Sequence, residues 1–109
     1  MRVKKMKTVA SWNGVTIAES DDCIAVEGNA YFPRESLKAG VTAPSAHTSF
    51  CPWKGTANYM DLVVDGQKNT NAVWVYETPL AGAKPIAGYV AFWKGVKVTG
   101  GEHATPMAR

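Results

Sequence analysis

The densest cluster of residues able to do chemistry is His47-Thr48-Ser49-Phe50-Cys51-Pro52-Trp53-Lys54-Gly55. It puts an imidazole, a thiol and an ammonium into one short segment. A cysteine nucleophile needs a lowered pKa and a base within hydrogen-bond reach. On a single strand His47 and Cys51 share a face but lie about 13 Å apart, so only a folded loop would join them. A zinc site would have to draw on Cys23, His47, Cys51 and His103. No Cys-x-x-Cys spacing supports that set, and no metal is expected. As a buried small hydrophobe, Cys51 needs no partner at all. In an enzyme, Lys54 and Arg34 are the candidate electrophilic groups and Cys51 or His47 the reactive one.

Metal-assisted phosphoryl chemistry asks for paired carboxylates. The acids are Glu19, Asp21, Asp22, Glu27, Glu35, Asp61, Asp65, Glu77 and Glu102. None forms an Asp-x-Asp pair that a strand would point to one face. They read as solvated turn residues. No Gly-x-x-x-x-Gly-Lys-Ser/Thr loop is present, and Lys54-Gly55 alone is weak evidence for phosphate binding.

The aromatic residues offer a binding site instead. Trp74 and Tyr76 alternate with Val73 and Val75, so one strand face is aromatic and the other aliphatic. If the valine face is core, the aromatic face lines a groove. Tyr31, Arg34, Trp53, Lys54, Gly55 and Tyr59 are the further candidates to line it. An aromatic wall with one or two cations suits a flat anionic ligand such as a nucleotide. Gly55, lacking a side chain, would let a ligand approach the backbone.

These residues must be positioned by short strands. Thr8 to Trp12 and Val15 to Glu19 flank Asn13-Gly14, a strong hairpin signal. Cys23 to Val26 and Ala30 to Phe32 flank Glu27-Gly28-Asn29. Pro33 to Leu37 reads as a single helical turn. Lys38 to His47 reads as a loop, and Thr48 to Cys51 as an extended piece that Pro52 keeps from a fully central place. Thr56 to Tyr59 and Leu62 to Val64 are separated by Met60-Asp61. Gln67 to Asn71 reads as a polar loop, Ala72 to Tyr76 as a strand and Thr78 to Pro85 as a loop. Ile86 to Trp93 is the longest apolar run, and Lys94-Gly95 turns it into Val96 to Val98. Trp-x-Gly recurs at Trp12, Trp53 and Trp93 as a shared hairpin device. The pattern predicts an all-β protein, a compact antiparallel sandwich or small barrel with one short helical turn.

Composition agrees. The 109 residues are 46% hydrophobic and 19% charged, which excludes a disordered chain and a coiled coil. No apolar run approaches a helical membrane span. The formal net charge is +3, but Arg2, Lys4, Lys5 and Lys7 hold four of the twelve basic residues. The remaining eight face nine acids, so the body is nearly neutral and no nucleic-acid partner is expected. The expected organisation is a flexible basic arm at 1–7, one β domain at 8–99 and a loose tail at 100–109. Two cysteines are too few for a disulfide scaffold, and no 7–15-residue apolar segment follows the basic start, so the expected location is cytoplasmic. The residues alone leave the oligomeric state open.

Tyr31-Phe32-Pro33-Arg34, then Thr48 with Cys51-Pro52-Trp53-Lys54-Gly55-Thr56-Ala57-Asn58-Tyr59, then Trp74-Val75-Tyr76 and Pro79 resemble domain-of-unknown-function family 427. That family also carries a nucleotidyltransferase-domain name. The resemblance runs from about Trp12 to Val98 and implies a small, mostly antiparallel β domain. It implies no known reaction and no cofactor. The reading from sequence is therefore a small soluble β domain with an aromatic and basic pocket for a small anionic or nucleotide-like ligand. The alternatives are a transferase or hydrolase using Cys51 and Lys54, and a protein-interaction module.

Overall fold

A computed structural model describes residues 7–101 and 104–107. Ten strands form three sheets. β1 (Thr8–Trp12), β2 (Val15–Ser20) and β9 (Lys97–Thr99) make the first, in the order β2-β1-β9. β3 (Ile24–Val26), β4 (Asn29–Tyr31) and β10 (Thr105–Pro106) make the second, in the order β10-β3-β4. β5 (Thr42–Cys51), β6 (Gly55–Val64), β7 (Gln67–Val75) and β8 (Val90–Phe92) make the third, a meander in sequence order. All pairings are antiparallel except β10 with β3. None of the three sheets closes into a barrel.

The four-stranded sheet buries residues on both of its faces. Its valine face, with Leu62, Val73, Val75 and Val90, packs on Ala10, Ile17 and Ala18 of the first sheet. Its aromatic face, with Ala57, Tyr76 and Ala91, packs under Val26 and Tyr31 of the second sheet and under Ala83 and Ile86. Phe32 and Val90 exchange two backbone hydrogen bonds, 2.7 and 2.9 Å, which lock the second sheet onto β8. The expected turn at Pro33 to Leu37 is a short 3-10 helix, Arg34–Ser36.

Several boundaries differ from expectation, each for a local reason. Lys38 to His47 was expected as loop, yet β5 begins at Thr42. It is an edge strand, where Pro44 costs no ladder bond on its outer side. Met60-Asp61 is not a break but a bulge within one continuous β6. Asp61 is 5% exposed and accepts the Asn71 amide at 2.8 Å, so this acid is a buried structural group and not a solvated turn residue. Gln67 to Asn71 is strand, not loop. Asp65 (φ 50) and Gly66 (φ 76) form a two-residue turn that forces Val64 onto Gln67 and Leu62 onto Asn69. The turn sets that pairing, not the propensity of the polar residues. The apolar run from Ile86 is only partly strand. A second 3-10 helix, Ala81–Ile86, takes its start, and Gly88 (φ 76) turns the chain into β8.

The expected arm lies outside the described residues except for Lys7, which pairs with Glu19 at 3.8 Å. Glu102 and His103 also lie outside them. Within the stretch expected as a loose tail, Thr105 and Pro106 pair with Ile24 and Ala25.

Leu62 is fully buried on the valine face. Leu62→Ala is expected to lower unfolding free energy by about 2–5 kcal/mol, read from urea denaturation, because the packed sheets cannot close the void.

Candidate functional site

The Cys51-to-Gly55 hairpin centres the site. Cys51 pairs with Gly55, and Pro52, Trp53 and Lys54 form the loop. Gly55 sits at φ +106, a conformation that disfavours any side chain. The space over it is already taken: a Cβ there would lie 3.3 Å from the Leu80 nitrogen and 3.5 Å from its Cγ. The Leu80 amide donates to the Lys54 carbonyl at 2.9 Å. Gly55 therefore admits the chain's own Leu80 against the loop backbone.

Lys54 carries the ion pair of the hairpin loop. The residue is 7% exposed. Its ammonium is ion-paired to Glu27 and lies 5.4 Å from the Tyr76 ring centre and 5.5 Å from that of Trp53. Burial pulls its pKa down, but the Glu27 hydrogen bond and the surroundings of Tyr31 and Tyr76 outweigh this and hold it up at about 12. A lysine raised above its ordinary 10.5 adds stability in full below about pH 10.5, and that contribution fades as pH rises through 12. At neutral pH such a group is no base or nucleophile.

Glu27 was not singled out by sequence. It occupies the first central position of the β3–β4 turn with φ 52, where Asn, Asp or Gly is usual. Its carboxylate also accepts from Trp53 Nε1 at 3.3 Å. A bulky residue at positive φ is the one sequence-level signal that could have found it, once Gly28 fixes the turn. Tyr76 is 5% exposed, and burial pushes its phenol up in pKa, with Lys54 opposing.

Tyr31, fully buried, accepts a hydrogen bond from Trp74 Nε1 at 3.1 Å and meets that ring edge-on at 6.1 Å. Beyond Trp74 the rings continue outward. Trp74 meets Trp93 at 6.2 Å, Trp93 meets Tyr59 at 6.4 Å, and Tyr59 meets His47 at 4.6 Å. Trp93 is 46% exposed and His47 is exposed. The Tyr59 hydroxyl hydrogen-bonds Ser49 Oγ at 2.9 Å. Lys94 Nζ lies 5.2 Å from the Trp93 ring centre and donates to the Thr70 carbonyl at 3.0 Å. The sequence marks Trp93 and Lys94 as a turn device, and nothing in it ties them to Tyr59.

The other candidates separate. Arg34 sits against the opposite face of the sheet, 3.6 Å from Glu77, with Met60 Sδ 3.9 Å from Nη2. It lines a cleft of about 300 Å³ with Met60, Val75 and Glu77. Among the described residues no hydrogen bond joins His47 to Cys51. Cys51 is half-buried and packs on the Tyr31 and Tyr76 cluster. Cys23 is 2% exposed, and burial pushes its thiol up to about 11, with a Thr8 hydrogen bond opposing. Among the described residues no group of three or more His, Cys, Asp or Glu could hold a metal ion. A cavity of about 490 Å³ between Ala25, Ala30, Phe92 and Val98 contains none of the expected ligand-binding residues.

The family model described as Domain of unknown function (DUF427) matches residues 2–102. The chain belongs to this family. No curated protein matches it significantly. The DUF427 match spans both hairpins that carry the Glu27–Lys54 pair and the strands that carry the ring series. No helix among the described residues is long and apolar enough to cross a membrane.

The two halves of the ion pair differ in burial, with Lys54 side chain 9% exposed and Glu27 51%. Glu27→Ala strands a buried ammonium and is expected to cost about 1–3 kcal/mol in chemical denaturation. Lys54→Met leaves a half-solvated carboxylate and should cost less than Glu27→Ala. A colorimetric thiol reagent at pH 8 should modify one cysteine per native chain quickly, Cys51, and Cys23 only on unfolding.

Proposed function

We propose that this domain binds a small, flat, anionic ring compound, of nucleotide-like chemistry, on the open half of its aromatic face. The observation that carries this reading is the unbroken series His47–Tyr59–Trp93–Trp74, whose neighbouring rings lie 4.6 to 6.4 Å apart and whose outer members are exposed. A solvent-facing aromatic series offers stacking surface that folding alone does not require. Lys94 supports the anionic preference. It uses one of its three N–H donors on Thr70 and keeps the others for a phosphate or carboxylate beside Trp93. The binding residues under this reading are His47, Ser49, Tyr59, Trp93 and Lys94, with Trp74 as the inner wall. Tyr31, Trp53, Lys54, Gly55 and Tyr76 support them from the closed half.

Binding is favoured over turnover because Lys54, the cation a transferase or hydrolase would turn on its substrate, is already neutralised by Glu27. The two free cysteines fit a reducing compartment, which supports a cytoplasmic location.

The test is a titration with adenosine monophosphate, followed by tryptophan fluorescence and calorimetry. Trp93→Ala and Lys94→Ala are each expected to weaken binding about tenfold or more with little change in melting temperature, since both residues are exposed. Lys54→Met should change stability and leave affinity nearly unaltered. Binding that survives Trp93→Ala and is lost in Lys54→Met would overturn the assignment.

A further inference from the structure

Strand β5 is an edge of the four-stranded sheet, paired on one side with β6. Exposed edges are usually guarded by charges, prolines or bulges, because their unpaired amides and carbonyls recruit other strands. The first half of β5 is guarded. Pro44 sits there, and the register breaks between Pro44 and Thr48. The second half is not. Thr48, Ser49, Phe50 and Cys51 run in regular pairing with Asn58, Ala57, Thr56 and Gly55, and β5 contains no Asp, Glu, Lys or Arg. Among the described residues no hydrogen bond is made by the backbone of Thr48 to Cys51 on the side away from β6.

Phe50 makes this edge unusual. It is 69% exposed, the most exposed large hydrophobic of the described residues. Its cross-strand and diagonal neighbours Thr56 and Asn58 are exposed too, so among the described residues none covers Phe50 on that face of the sheet. β5 offers no Asp, Glu, Lys or Arg for a charged segment to pair with, which favours a neutral extended strand as its cover. That cover must also shield an aromatic ring.

We propose that residues Thr48–Phe50 pair with the same residues of a second copy of this chain, antiparallel about a two-fold axis, to give a dimer with one continuous eight-stranded sheet. The neutral strand is its own electrostatic complement, and an isologous contact applies each interaction twice. With the axis at Ser49, Phe50 of each copy lies across from Thr48 of the other, on the face where both are exposed, and each ring gains cover. The paired edge carries Ser49 of the proposed ligand surface, with His47 beside it, while Trp93 and Lys94 follow β8 at the other edge of the sheet.

Sedimentation equilibrium from about 1 μM to about 1 mM, spanning weak and moderate affinities, tests this. The wild type is expected to move from the 11.7 kDa chain mass to twice that value as concentration rises. Phe50→Lys removes the apolar cover and sets an ammonium on each side of the axis, and is expected to shift the midpoint at least tenfold toward monomer. Amide exchange of wild-type Thr48 to Phe50 is expected to slow as dimer forms, which decides the matter even if Phe50→Lys fails to fold. A wild type that stays monomeric throughout overturns the proposal and leaves the edge to a neutral strand of another protein. A dimer whose Thr48 to Phe50 amides gain no protection also overturns it, by placing the interface elsewhere.

Discussion

The pairing of Lys54 with Glu27 is the constraint on which the rest of the site depends. An ammonium this deeply placed is not tolerated without a counter-charge. The carboxylate that supplies one comes from the turn of a different hairpin. The contact therefore clamps the β3–β4 turn onto the β5–β6 turn, with Tyr76 and Trp53 packed against the ammonium. Two positive-φ positions flank the contact: Glu27 itself, in the turn it forms with Gly28, and Gly55, where Leu80 closes over the loop.

That clamp divides the aromatic face of the four-stranded sheet. On one side Tyr31, Tyr76 and Ala91 are core, covered by Val26, Ala83 and Ile86. On the other, Tyr59, Trp93 and His47 continue the same surface into solvent. Trp74 bridges the two, hydrogen-bonded inward to Tyr31 and in ring contact outward with Trp93. The closed half gives the open half a fixed backing. A ligand would meet rings whose positions are already set by packing, which reduces the ordering cost of binding.

How much of this was legible in the sequence follows from which signals are local. The two-residue turns at Asn13-Gly14 and Asp65-Gly66, the alternation of Val73 and Val75 with Trp74 and Tyr76, and the short helical turn after Pro33 are written in adjacent residues, and the fold class follows from them. The polar start of β7 is set by a turn rather than by its own side chains, and the edge position of β5 depends on sheet order. Neither is visible locally. The same limit governs the site. Tyr31, Trp53, Lys54, Trp74 and Tyr76 lie near one another, but long-range pairing decides that Lys54 meets Glu27, that Arg34 faces the other way and that Trp93 joins the series. Glu27 was passed over because its partner lies two strands further along the chain.

The most direct test of the divided face is a nuclear magnetic resonance titration of the labelled protein with adenosine monophosphate. The account predicts saturable shifts centred on the Trp93 indole, the Tyr59 ring and the His47 imidazole, with the Lys54 ammonium still paired to Glu27 at saturation. Shifts centred on Lys54 and Trp53, with the Glu27 contact broken by the ligand, would contradict it.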